Sequence, residues 1–283
     1  MTFSLAAAFQ AEEHRSFTWR ADHDAAVMLI HGFPGTPAEM RPLAEALHAQ
    51  SWTTVAPLLP GFGAEIDTLQ HRSHDDWLQF LLLAYAEMRR RHRVIALIGL
   101  SMGGALALQL AAHHSPNALV LLAPFWRIEH LLWRAMPILK YLIPTFKPFR
   151  LFKLDFNDAA VRQGIANFMP ELNLGDPSTQ RAILDFALPM RLIDQLRQVG
   201  QRGYSAISRV SCPTLVIQGT HDDLVKPEVT RHLCRRFVKP PLYLEVDASH
   251  TLLDPSQPSR AQIVSAISEF LSPFHPSGVI AHD

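Results

Sequence analysis

The chain has 283 residues, enough to bury a large core as one domain or as a domain carrying an insertion. Lys plus Arg and Asp plus Glu balance at 26 each, so no global charge points to nucleic acid, and an apolar fraction of 48% is ordinary for a soluble chain. No apolar stretch reaches the roughly 18 residues needed to span a bilayer, and the start, MTFSLAAAFQAEEHR, has no basic residue before its short apolar run and reads poorly as a signal peptide.

In chain order, SFTWRADHDAAV (16–27) has room for an edge strand and a turn. AVMLIHG (26–32) is a continuous apolar run bounded by turn residues and predicts a buried strand. PAEMRPLAEALHAQ (37–50) places Met40, Leu43, Ala44 and Leu47 on one helical face. TTVAPLL (53–59) is strand-like and PGFG after it a turn. SHDDWLQFLLLAYAEMRRR (73–91) starts on a capping serine and ends in arginines, which suit the negative end of a helix dipole. VIALIGL (94–100) is a buried strand followed by the alanine-rich SMGGALALQLAAHH, and NALVLLAP (117–124) is another strand. The rhythm resumes with strand 213–219, helix 227–237, strand 241–247 and a closing helix over 256–271. Strands alternating with helices predict an α/β fold with a mostly parallel, doubly wound sheet covered on both faces.

Between 126 and 209 the pattern breaks into mixed aromatics, prolines and basic residues, followed by helical pieces such as 177–199. The division expected is a core domain of 1–125 and 210–283, with 126–209 inserted as a helical cap over the carboxyl end of the sheet. The last segment, PFHPSGVIAHD, reads as a loose tail. Cys212 and Cys234 form no CxxC pair, so they read as free structural thiols in a reducing cytoplasm.

Gly99-Leu100-Ser101-Met102-Gly103 fits G-x-S-x-G between a strand and a helix. Such a turn is tight and strained, and projects the serine hydroxyl clear of the backbone. Glycines on either side avoid collisions with the strand and helix. By itself Ser101 could be a helix N-cap, since chance gives on the order of 0.1 such matches in a chain of this length. A serine nucleophile needs a base, and the base needs an acid that fixes its tautomer. On this kind of sheet they follow in the order serine, acid, histidine, each after a strand. TLVIQG runs into THDDLV and supplies Asp222, taken in preference to the neighbouring Asp223. LYLEVD runs into ASHTLLD and supplies His250. Of the 15 histidines, His113, His114, His232 and His275 read as solvated, the two in HRSHDD (71–76) as part of a polar loop leading into a helix, and His31 as loop packing. An oxyanion hole needs two N–H donors. Met102, just after the nucleophile, gives one. HGFPGTP (31–37) offers Phe33 as the other, because Pro34 lacks an N–H but restrains Phe33 to extended geometry.

LIHGFPGTPAEMRPLAEAL, VAPLLPGFG, SHDDWLQ, LIGLSMGGALALQLA, LVIQGTHDDLVKPE and ASHTLLD together resemble the α/β-hydrolase superfamily, most closely its bacterial carboxylesterases and monoacylglycerol lipases. The resemblance implies Ser101 as nucleophile, Asp222 and His250 as its partners, and Phe33 and Met102 as oxyanion donors. It departs at Pro34, where many members carry threonine or tryptophan, and in the length of the cap.

The expected reaction is hydrolysis of a small-molecule acyl ester through an acyl-serine, with activity falling below roughly pH 6.5 as the imidazole protonates. No metal, organic cofactor or nucleic acid is implied. Thioesterase, acyltransferase, perhydrolase or carbon–carbon hydrolase activity would use the same three residues. A non-catalytic binding module on this fold is the alternative of a different class. In the cap, Trp126, Trp133, Met136 and Phe146 are the expected substrate contacts, among basic residues suited to weak contact with a lipid surface. The plainer reading there is an apolar face packed on the sheet and a solvated basic one.

Overall fold

The computed structural model describes residues 6, 9–128, 141, 144–147, 155–158, 161–162, 174–185, 187–255 and 257–275. Its strands are β1 (Phe17–Trp19), β2 (Ala25–Ile30), β3 (Thr53–Ala56), β4 (Val94–Leu100), β5 (Ala118–Leu122), β6 (Thr145–Phe146), β7 (Leu188–Pro189), β8 (Thr214–Gly219) and β9 (Leu242–Val246). Seven of them form one sheet in the order β1-β3-β2-β4-β5-β8-β9. All neighbours are parallel except β1, which runs antiparallel to β3.

The helices are α1 (Arg41–His48), α2 (His74–Arg91), α3 (Met102–His114), α4 (Pro177–Asp185), α5 (Met190–Ala206), α6 (Pro227–Cys234) and α7 (Arg260–Leu271). They cover both faces, which is why the central strands are apolar without alternation. Along β2, Ala26, Met28 and Ile30 join Leu81, Tyr85 and Leu106 on one face. Ala25, Val27 and Leu29 join Leu43, Leu47 and Ile263 on the other.

Local signals set the helix ends. Ser73 and Asp76 form a reciprocal capping box at the start of α2, and Arg89, Arg90 and Arg91 close it. The predicted helix over 37–50 begins instead as a 3-10 turn, Pro37–Met40, capped by the Thr36 side chain, and becomes α-helical at Arg41.

From β2 the chain passes to β3 on one side and then to β4 on the other. The winding therefore reverses at β2, and the loops leaving β2 and β4 diverge around a crevice at the carboxyl edge.

The stretch expected as a cap is not uniform. At its C-terminal end α5 lies in the core layer against α3, with Val199, Gly200, Gly203 and Ala206 buried. A Cβ on Gly203 would stand 2.7 Å from the Ala105 carbonyl oxygen, so the two helices pack almost backbone to backbone. Ahead of α5, β6 and β7 form an antiparallel ribbon pairing Thr145 with Pro189 and Phe146 with Leu188.

Two histidines differ from the sequence reading. His275, expected at the surface, is buried against Trp52, because the turn Ser272–Phe274 folds the chain back over that ring. Of the two histidines in the expected polar loop, His71 is exposed but His74 is buried, with Nε2 2.7 Å from Gln109 Oε1 and Nδ1 2.9 Å from an Arg202 nitrogen, tying α2 to α3 and α5. The rest of the expected tail, 276–283, lies outside the described residues. No described helix is long and apolar enough to cross a membrane.

Candidate active site

β4 ends at Leu100 and α3 begins at Met102, so Ser101 alone makes the corner. Its φ of 51° and ψ of −114° lie where a side chain costs about 1–3 kcal/mol. The surroundings hold it there. Its N–H donates to the Leu122 carbonyl at 2.8 Å, and its carbonyl accepts from the N–H groups of Gly104 at 2.9 Å and Phe125 at 3.1 Å.

The flanking glycines are close-approach positions. A Cβ on Gly99 would stand 2.4 Å from the Gly103 carbonyl oxygen. A Cβ on Gly103 would stand 2.2 Å from that of Ile30, so α3 is wedged against the end of β2 as well as its own strand. Gly103→Ala should therefore lower unfolding stability by about 3 kcal/mol or more in urea titrations, whereas the same change in an open helix stabilises. A midpoint equal to the parent's would refute the wedge.

Ser101, His250 and Asp222 come together across three loops. His250 Nε2 is 2.9 Å from Ser101 Oγ, and His250 Nδ1 is 2.7 Å from Asp222 Oδ2. Asp222 Oδ2 also accepts from Gln218 Nε2 at 3.0 Å, and Oδ1 from the N–H groups of Leu224 at 2.9 Å and Val225 at 2.8 Å. With four donors aimed at it, this buried carboxylate accepts the imidazole Nδ1–H, which leaves Nε2 free to accept from the Ser101 hydroxyl. The half-buried His250 loop is stiffened by Gln257, whose Nε2 donates to Ser249 Oγ at 2.9 Å, and by buried Leu252 and Leu253. Asp223, beside Asp222, is exposed.

The loop after β2 lies next to this group. Leu59 N–H donates to His31 Nε2 at 3.1 Å, so His31 carries its proton on Nδ1 and donates it to the Gly32 carbonyl at 2.8 Å. Full burial lowers the His31 pKa to about 4 and keeps the ring neutral. The Gly32 carbonyl and the Phe33 N–H belong to one trans peptide, so fixing the first aims the second the opposite way. Met102 gives the first N–H of α3, which has no acceptor within its helix.

Trp126 is packed structurally. Its ring stacks 4.1 Å from Tyr204 and 5.5 Å from His232, and its indole N–H donates to the Val229 carbonyl at 3.0 Å. Trp133 and Met136 lie outside the described residues, as does the side chain of Phe146.

Two residues at the site escaped the sequence reading. Gln218 braces Asp222 and is itself held by Thr230, whose hydroxyl donates to Gln218 Oε1 at 2.6 Å. An amide inside the apolar run TLVIQG was the available signal. Glu39 accepts the Gly32 N–H with Oε1, and burial pushes its pKa up to about 7. Only the folding of its loop brings it there, and no spacing rule announces it.

A model of the alpha/beta hydrolase family matches residues 27–263 of this chain. A thermostable monoacylglycerol lipase of Bacillus sp. (strain H-257) is 42% identical over 88 residues, which is 31% of this chain and 35% of the lipase. The matched stretch thus spans about a third of that enzyme. A carboxylesterase of Bacillus subtilis (strain 168) is 25% identical over 216 residues, covering 76% of this chain and 78% of that one. Among solved structures, one from work on the metagenome-derived lipolytic enzymes LipS and LipT superposes with a TM-score of 0.73 at 19% identity, over 93% of this chain and 98% of the other.

Proposed function

The chain belongs to the alpha/beta hydrolase family, among its lipase- and esterase-like members, and from that premise we propose that it hydrolyses carboxylic esters through an acyl-serine formed on Ser101. The observation that carries this reading is the unbroken hydrogen-bonded chain from Asp222 through His250 to Ser101 at the carboxyl edge of the sheet.

Ser101 Oγ attacks the ester carbonyl carbon while its proton passes to His250 Nε2. Asp222 stays ionised and supports the imidazolium. The oxyanion rests on the N–H groups of Phe33 and Met102. The bond to the alcohol breaks as His250 returns the proton to the leaving alkoxide. Water then repeats the sequence on the acyl-serine and releases the free acid.

The acyl side of this reading involves Trp133, Met136 and Phe146 in a cap that we bound at 127–189, with α5 assigned to the core. This cap also supplies the proposed weak contact with a lipid surface. A cytoplasmic setting is supported by the two free thiols, for which burial pushes the pKa of Cys212 to about 11 and of Cys234 to about 12.

The test is a paired series of nitrophenyl esters and acyl thioesters of rising chain length, with fluorophosphonate labelling of Ser101. Esters should be cleaved, medium chains faster than acetyl, and labelling should abolish turnover. Faster thioester cleavage would move the reading to a thioesterase. A silent Ser101 with no turnover would leave a binding module.

A further inference from the structure

Glu39 stands beside the reacting groups, and the reaction above gives it no task. It lies on the 3-10 turn that follows the Phe33 loop, and its carboxylate folds back over that loop. Oε1 accepts the Gly32 N–H. The point where a Gly32 Cβ would stand is 3.4 Å from both Glu39 Oε1 and Ser101 Cβ. At Gly35 a Cβ would stand 2.4 Å from Glu39 Oε2, so the loop makes room for this carboxyl by omitting a side chain.

The carboxyl thus lies across Gly32 from Ser101, whose Oγ is 2.9 Å from His250 Nε2, and against the larger effect of burial the nearby imidazole draws the Glu39 pKa down. Titratable groups on the elements around it are engaged elsewhere. His14 Nδ1 is 2.8 Å from Thr36 Oγ1, and Arg41 donates to the carbonyls of Glu12 and Glu13. His31 is held between Gly32 and Leu59, and Asp222 faces the Nδ1 edge of His250.

Resting on the ester-hydrolysis reading, we propose that Glu39 is a positioning residue with two tasks: its carboxylate holds Gly32, and through it the peptide carrying the Phe33 N–H, and its negative charge favours the His250 imidazolium formed when Ser101 gives up its proton. The two tasks come apart by substitution. In Glu39→Gln the amide oxygen still accepts from Gly32 while the charge is gone. In Glu39→Leu both are lost.

The measurements are kcat and KM for p-nitrophenyl butyrate from pH 5 to 9, and rates of fluorophosphonate inactivation over the same range, for the full-length protein and both variants. Glu39→Gln should keep KM within about twofold, lower kcat and the inactivation rate above about pH 7, where the parent's carboxyl is ionised, and lose that difference toward pH 5, where Glu39 is protonated. Glu39→Leu should lose about a further tenfold in kcat. Melting curves read the charge without using activity. A carboxyl whose pKa is raised on folding stabilises least above both of its values, here above about pH 7, so Glu39→Gln should gain in Tm over the parent at pH 8 and lose that gain near pH 5.

If the parent cleaves the ester and Glu39→Gln reproduces its kcat and inactivation profile over the whole pH range, the charge role is overturned and the ester reading stands. If Glu39→Leu matches Glu39→Gln, the hold on Gly32 is overturned. If the parent cleaves no ester, that reading fails, and the inactivation profiles still decide the role of Glu39.

Discussion

Ser101→Ala should lower kcat by at least about 10⁴-fold while the protein folds and binds substrate as before. Alanine keeps the Cβ, so the corner at φ 51° pays the same strain and its backbone hydrogen bonds persist. What disappears is the hydroxyl 2.9 Å from His250 Nε2, with its removable proton. Residual hydrolysis would come from the Phe33 and Met102 donors acting on bound ester, without a covalent intermediate. Steady-state kinetics, with a thermal melt to show an intact fold, are the check. Turnover within tenfold of the parent would remove Ser101 from the reaction. Ser101→Gly would be equally inactive, yet more stable by about 1 kcal/mol, since glycine adopts this backbone freely.

Asp222→Asn ranks next, with an expected loss of about 10³–10⁴-fold in kcat and little change in KM. Each carboxylate oxygen already faces two donors. An amide nitrogen at the Oδ1 position would point at the N–H groups of Leu224 and Val225. At the Oδ2 position it would oppose Gln218 Nε2 and force His250 to accept at Nδ1. The proton would then move to Nε2, which could no longer take the one from Ser101. A pH profile separates this from simple damage, because activity should partly recover at high pH where a hydroxide route opens. A variant retaining a tenth of parental kcat would show that the acid is dispensable.

The sheet was legible because each central strand is covered on both faces and so reads as an unbroken apolar run, as in AVMLI and VIALIGL. Helix faces were legible for the same reason: Met40, Leu43, Ala44 and Leu47 are all fully buried. The meeting of Ser101, Asp222 and His250 was legible from order alone, since each had to follow the carboxyl end of a strand. What escaped depends on loops folding back. Glu39 reaches Gly32 across seven residues of turn, and His275 reaches Trp52 from the far end of the chain. The placement of α5 escaped for another reason. Its apolar face suits a cap as well as a core, and Gly200 and Gly203 announce close packing without naming the partner. The first part of 126–209 mixes aromatics, prolines and basic residues without a clear period, and pattern reading has little purchase there.

The ribbon of β6 and β7 carries a consequence for how such a protein diversifies. Among the described residues two pairs close it. Pro189 sits at one end without an N–H to extend the ladder, and Met190 fastens back to the Pro144 carbonyl at 3.0 Å. The ends of the intervening stretch therefore leave and rejoin the ribbon side by side. Recombination could splice in a cassette of different length between those ends without touching a hydrogen bond of the main sheet, so a lineage could trade substrates while inheriting its chemistry unaltered.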